Sequence, residues 1–177
     1  GIYHSLIIKE DGSLWSVGGN HNGQLGDGTK TNRSVYNMVV PGGVRSTAAT
    51  GYHSLFVKED GSLWGFGNYR GLGEQVAKHL LYPTRLVPSG VKKVVSGVYH
   101  TLFIKTDGSL WGMGDNTYGQ LGSENLSSNL KLSKITDEPV VSMAGGYKHS
   151  AFVKEDGSLW TMGSNTYGQL GDGTNAD

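Results

Sequence analysis

The sequence predicts an all-β fold, a β-propeller segment of four-stranded blades, and three observations predict it. The heptapeptide KEDGSLW recurs at residues 9–15, 58–64 and 154–160, and as KTDGSLW at 105–111. Its Asp stands at 11, 60, 107 and 156, giving spacings of 49, 47 and 49, and a fixed period of this size marks a stacked repeat. The His seven residues earlier, at 4, 53, 100 and 149, keeps the same spacings, and 18 of the 26 positions from His4 to Thr29 are identical to those from His149 to Thr174. Glycine supplies 29 of 177 residues, between short runs of Val, Phe and Trp. No window beyond about ten residues carries a helical apolar period.

Each unit reads the same way. The runs HSLIIK, HSLFVK, HTLFIK and HSAFVK come first, followed by the Asp-Gly and by SLWSVG, SLWGFG, SLWGMG and SLWTMG. Both runs are apolar at consecutive positions, which predicts strands buried on both faces. The Asp-Gly between them predicts a hairpin turn in which Asp tolerates a left-handed backbone and Gly takes φ > 0. A glycine-rich connection then leads to a variable third run (YNMVVP, TRLVP, LKLSKI) and to a fourth of small residues and Val: VRSTAATG, VKKVVSG, VVSMAGG. Small side chains suit an innermost strand, where blades crowd toward a central channel. The Trp of DGSLW is placed farther out, as a filler between blades.

The whole chain, 1–177, reads as one propeller segment with units 4–52, 53–99 and 100–148 and a partial unit 149–177. This amounts to about three and a half blades. The remaining blades are expected from the same longer chain or from another copy.

Composition removes several function classes. Fifteen Lys and Arg balance fifteen Asp and Glu, so no overall cationic excess points to nucleic acid. Cysteine is absent, which excludes disulfides, thiolate catalysis and Cys-type zinc sites. No apolar run reaches the length of a membrane span.

The in-register pattern of His, Asp-Gly, Trp, Gly and GQLG resembles the repeat of the regulator of chromosome condensation family. The resemblance runs over essentially the whole chain. The second copy departs from it: GFGNYRGLG is two residues shorter there and lacks the Gln. Family members are seven-bladed propellers, which implies about twice this length. The close identity between copies looks most like bacterial members, which often are secreted or surface-borne.

Repetition accounts for most candidate chemistry. Asp11, Asp60, Asp107 and Asp156 read as turn residues rather than acids, because no carboxylate partner recurs at a fixed place: Glu10, Glu59 and Glu155 give way to Thr106 in copy three. His4, His53, His100 and His149 read as core residues bonded to backbone carbonyls of the neighbouring turn. Equivalent places on successive blades are spread around an axis, so no metal is expected. Trp15, Trp64, Trp111 and Trp160 read as structural. The GQLG segments lack a phosphate-loop pattern, and the preceding Asn20, Asn116 and Asn165 predict Asx-type turns. No cofactor and no catalytic residue is expected.

What remains is surface. Tyr3, Tyr52 and Tyr99 precede the repeated His, and Tyr147 lies two before it. They are expected around one mouth of the channel. Arg70 to Tyr82 has no counterpart in the other units and adds Arg70, Lys78 and His79 as candidates for partner binding. The function expected is therefore a non-enzymatic scaffold that binds another protein through loops on one face. The family resemblance implies two more specific readings: inhibition of a secreted enzyme, as by a bacterial β-lactamase inhibitory protein of similar fold, and guanine-nucleotide exchange on a small GTPase. A carbohydrate-active propeller enzyme is the contrasting reading, and it would require two convergent carboxylates at the channel mouth.

Overall fold

A computed structural model describes residues 1–73, 79–124, 126 and 130–176. Among the described residues fourteen strands form four antiparallel sheets. The first sheet holds β1 (His4–Ile8), β2 (Leu14–Gly18) and β3 (Arg33–Val40). The second holds β4 (Val44–Ala49), β5 (His53–Lys58), β6 (Leu63–Gly67) and β7 (Leu80–Val87). The third holds β8 (Val91–Ser96), β9 (His100–Lys105), β10 (Leu110–Gly114) and β11 (Leu130–Thr136), and the fourth β12 (Val140–Gly145), β13 (His149–Lys154) and β14 (Leu159–Gly163). Strands β4, β8 and β12 touch one another in succession, which places them nearest the axis. Among the described residues the helical content is one 3-10 turn, Tyr69–Gly71.

The small-residue run that ends each His-to-His unit is thus the innermost strand of the following sheet. After each outer strand the chain crosses back to the axis through a short connection (41–43, 88–90, 137–139). Backbone bonds fasten that crossing to both blades. Val44 N–H donates to Gly12 O at 3.0 Å and Glu59 N–H to Gly43 O at 2.9 Å, and Val91, Thr106, Val140 and Glu155 repeat the pattern.

The Asp-Gly hairpins differ in detail from the two-residue turn that the sequence predicts. Gly12 N–H donates to Lys9 O and Lys9 N–H to Ser13 O, so the loop has three residues, and Gly12 takes φ of 75°. No described non-glycine residue has positive φ, so Asp11 stays out of the left-handed region. This is a type I turn closed by a glycine bulge. In this turn the Asp side chain bonds forward along the chain. Asp11 Oδ1 accepts from Ser13 N at 2.9 Å and from Ser13 Oγ at 2.6 Å, and Ser13 Oγ accepts the Trp15 indole N–H at 2.8 Å. The same series joins Asp60, Ser62 and Trp64, Asp107, Ser109 and Trp111, and Asp156, Ser158 and Trp160. The serine bonds hold all four carboxyls below the ordinary carboxylate value. A lysine two before each Asp lies over the indole, for example Lys105 Nζ at 3.9 Å from the Trp111 ring centroid. Trp64 and Trp111 pack at the edge of interblade cores under this lysine cover, whereas Trp160 is half exposed.

Three apolar cores fill the gaps between successive blades, each made by a Leu/Val face of one blade and a Phe/Met face of the next. Leu55, Val57 and Leu63 meet Phe103 and Met113, while Leu102, Ile104 and Leu110 meet Phe152. Strands β5 and β9 are therefore buried on both faces, whereas β1 and β13 are buried on one. Leu110 is 0 % exposed and its repeat equivalent Leu159 is 68 % exposed, because among the described residues no blade lies against the outer face of the fourth sheet. Leu110→Ala is expected to cost about 2–5 kcal/mol of stability. Leu159→Ala is expected to stay within about 0.5 kcal/mol, with urea unfolding of both variants as the measurement.

Candidate functional site

Every β5-type strand begins at one end of its blade with the repeated His, and every β6-type strand returns to that end before entering the glycine-rich connection. The Tyr residues before His and the GQLG loops therefore share one end of the molecule. The Asp-Gly hairpins lie at the other.

Beneath this surface the histidines join blade to blade. His4 Nε2 lies 2.8 Å from Ser54 Oγ of the second blade, and Ser54 Oγ donates to Gln24 O of the first at 2.7 Å. The third and fourth blades repeat this: His100 Nε2 lies 2.8 Å from Ser150 Oγ, which donates to Gln120 O at 2.7 Å. A hydroxyl has one proton. Since each serine gives its proton to a carbonyl, it accepts from the histidine, which fixes the ring as the neutral Nε2–H tautomer. The Nδ1 atoms of His4, His53 and His100 are buried without a hydrogen-bond partner. These rings therefore bond a hydroxyl on the next blade, not a backbone carbonyl of a neighbouring turn. They are not brought together as ligands: among the described residues no three His, Cys, Asp or Glu are grouped to hold a metal.

The second copy differs in a correlated way. The His100 ring sits on Gly97, three residues before it, where an added Cβ would meet the ring at 2.0 Å. In copy two Thr50 occupies that position, so the His53 ring packs against Gly71 of the shortened loop instead. His53 Nε2 then bonds Ser96 Oγ at 2.9 Å, while Thr101 Oγ1 donates to Gly71 O at 2.6 Å.

Burial lowers the histidine pKa values to about 4 for His4, about 3 for His53 and about 4 for His100. For His53 the neighbouring His100 and His4 add to this.

The loops above are held by buried amides. Asn116 Oδ1 accepts Leu121 N–H at 2.7 Å and Gln120 Oε1 accepts Tyr118 N–H at 3.0 Å. Asn165 and Gln169 do the same for Leu170 and Tyr167, and Asn20 and Gln24 for Leu25 and Asn22. Leu25 and Leu121 plug these loops into the cores. Tyr118 and Tyr167 are thereby presented on rigid turns, with Tyr167 almost fully exposed. In copy two the 3-10 turn replaces GQLG: Asn68 Oδ1 accepts Arg70 N–H at 3.0 Å, and Arg70 is exposed.

The four tyrosines singled out in the sequence make a continuous ladder. Ring centroids lie 6.2 Å apart for Tyr3 and Tyr52, 5.9 Å for Tyr52 and Tyr99, and 6.2 Å for Tyr99 and Tyr147. The outer two are exposed and the inner two half-buried. Burial, followed by the neighbouring phenols, pushes the Tyr99 hydroxyl up, so it remains a donor at neutral pH. Arg70 lies over Tyr99, its guanidinium carbon 6.0 Å from the ring centroid. His79 is partly buried against Tyr69, at 5.8 Å between ring centroids and away from the ladder contacts. Lys78 falls outside the described residues, as do Glu74 and Gln75.

Sequence reasoning missed Lys148, Tyr118 and Tyr167. Lys148 Nζ donates to Tyr118 Oη at 2.8 Å and lies 4.0 Å from that ring's centroid. A cleft of about 520 Å³ opens beside it, lined by Tyr118, Tyr147, Lys148, His149, Tyr167 and Gln169 among others. The signal was the break in the repeat, since Lys148 stands where the other copies have Tyr immediately before His.

Sheets of this kind, stacked around an axis and presenting loops at one end, define a β-propeller built of repeated blades. Two models of the regulator of chromosome condensation (RCC1) repeat match the chain, one at residues 1–24, 91–120 and 140–169 and the other at 107–153, together more than half of it. The chain belongs to the RCC1 repeat family. No curated protein sequence matches it. Among solved structures, human WBSCR16 is 25% identical with a TM-score of 0.85, covering 99% of this chain and 49% of its own. Yeast RCC1 (Prp20), solved with Kap60, is 20% identical with a TM-score of 0.82, covering 99% and 45%. The ectodomain of the Arabidopsis thaliana receptor kinase ACR4 is more distant, at 16% identity and a TM-score of 0.52 over 91% of this chain and 48% of its own. The chain spans about half the length of these structures. No described helix is long and apolar enough to cross a membrane.

The histidine relay makes stability depend on pH. An unfolded histidine takes up its proton near pH 6.5, and the folded ones take theirs near 3 to 4. Between those values the unfolded chain binds more protons, so the stabilisation is complete above pH 6.5 and is lost as pH falls. The expected slope is about 1.4 kcal/mol per pH unit for each histidine. Urea unfolding from neutral pH to mildly acidic pH reads it. Ser54→Ala, which leaves Gln24 O and the His4 N–H unpaired, is expected to cost about 1–3 kcal/mol at neutral pH.

Proposed function

We propose that this chain is a non-enzymatic interaction scaffold that binds a partner protein through its tyrosine end. The observation that carries the reading is the ladder itself. Four aromatic rings in mutual contact, fixed on strands and amide-locked turns, offer a broad contact surface that loses little entropy on binding. Protein interfaces are enriched in such side chains. The carboxylates of the same loops favour a scaffold over a hydrolase. Asp27 is bonded to Arg33 and Thr29, Asp115 to Thr117, and Asp172 to Thr174 and Asn165, so each holds its own loop in shape. Yeast RCC1 (Prp20), which shares the fold, is seen bound to Kap60. That complex supports protein binding as a use of such propellers without naming a partner for this chain.

Site-specific crosslinking tests the reading. A benzoylphenylalanine placed at Tyr3 or Tyr147 is expected to capture one defined protein from the source cells. The same probe at Glu59 or Glu155, on the hairpin end, is expected to capture none. Capture from the hairpin end alone, or equally from both ends, would refute it.

A further inference from the structure

The tyrosine end carries two cations in a swapped arrangement. Arg70 immediately precedes a loop glycine and lies over Tyr99, which immediately precedes His100. One blade on, the roles exchange: Tyr118 precedes the loop glycine, and Lys148, which precedes His149, lies over it. At these two blade junctions the facing positions thus hold one cation and one phenol, in either order, while at the first junction they are Asn22 and Tyr52. Lys148 also lies 5.6 Å from the Tyr147 ring centroid, so both cations touch the ladder.

Neither cation has a carboxylate within ion-pair distance among the described residues. Lys148 Nζ donates to Tyr118 Oη, so an ammonium and a phenol stand side by side at the surface. The loop carboxylates Asp27, Asp115 and Asp172 bond within their own loops, and of these Asp115 still acts on both cations through its charge. Exposed carboxylates stand at the opposite end, at Glu10, Asp11, Glu59, Asp60, Asp107, Glu155 and Asp156, and at the loop end at Glu124 and Asp172. What sets Arg70 and Lys148 apart from the lysines at the hairpin end is their place: they lie over tyrosines of the ladder and its loops, whereas Lys9, Lys58 and Lys105 cover the tryptophans beside the hairpin carboxylates.

We infer that the ladder receives an extended acidic segment of the partner protein, one that alternates carboxylate with aromatic or proline side chains. Its carboxylates meet Arg70 and the Lys148–Tyr118 pair. Its rings lie along Tyr3, Tyr52, Tyr99 and Tyr147, and one side chain enters the cleft between Lys148 and Tyr167. This inference rests on the interaction-scaffold reading and specifies the chemistry of the partner.

Fluorescence anisotropy with labelled peptides tests it. A Glu-Tyr repeat peptide is expected to bind at least about tenfold more tightly than a Lys-Tyr peptide of equal length, with affinity falling as salt is raised. The double variant Arg70→Glu/Lys148→Glu should reverse that preference. Arg85→Glu/Lys92→Glu, which changes charge equally but away from the strip, should leave it intact. If the double variant fails to melt cooperatively, Arg70→Gln and Lys148→Met are read singly, each expected to weaken Glu-Tyr binding severalfold and to spare a Gln-Tyr peptide. Equal binding of the acidic and basic peptides would overturn the inference. So would an equal loss in the Arg85/Lys92 control, or full displacement by polygalacturonate, which would mark an acidic glycan as the ligand. Crosslinking from Tyr3 or Tyr147 without any charge preference would sink the acidic chemistry and leave the scaffold reading standing. Failure of both removes the two together.

Discussion

The hydrogen bond on which the architecture turns is the one from a buried histidine to a hydroxyl on the next blade. At His4 and His100 it has three members, an imidazole N–H, a Ser hydroxyl and a carbonyl of the glycine-rich loop, while at His53 Ser96 takes the imidazole and Thr101 holds the loop carbonyl. One relay therefore ties two blades together and pins the loop above them. Apolar burial supplies the larger share of cohesion, but it is non-directional and would tolerate blades that slide past one another. The relay and the backbone clasps at the hairpin end fix each blade against its neighbour at both ends, which is what allows surface tyrosines from four blades to arrive in ring contact.

That rigidity has a cost that falls on the histidines. Each gives up one hydrogen bond, since Nδ1 is buried and unpaired, and each must remain neutral. A protonated ring would need an acceptor at Nδ1, and the glycine packed against its face leaves no room for one. The second copy shows how tightly the parts are coupled. With Thr50 in the glycine's place the ring moves to Gly71, the loop loses two residues, and a different serine becomes the partner. The one irregular loop, and with it Arg70 at the surface, follows from that change.

Much of the fold was legible in the sequence because repetition encodes it in one dimension. The period gave the blade, the paired apolar runs gave the hairpin, and the small residues gave the strand nearest the axis. The hairpin turn was less legible. Asp-Gly reads equally well as a two-residue turn or as the end of a three-residue one, and the choice follows from the serine that Asp11 binds. The histidine partner lay beyond local reading, because Ser54 belongs to the next repeat and only folding brings it to His4. At the candidate site the tyrosines before His were visible as a pattern. Lys148 and Tyr118 were not, since what matters about them is their contact across a blade junction. The exposure of Trp160 likewise depends on the absence of an outer strand beside β14 among the described residues.

The most direct measurement of the interblade relay is the protonation and tautomer of His4, His53 and His100, read from side-chain nitrogen shifts by NMR. The relay predicts that all three are neutral with the proton on Nε2, and that they stay so down to about pH 5. Titration of any of them near the ordinary value of 6.5, or a proton found on Nδ1, would contradict it.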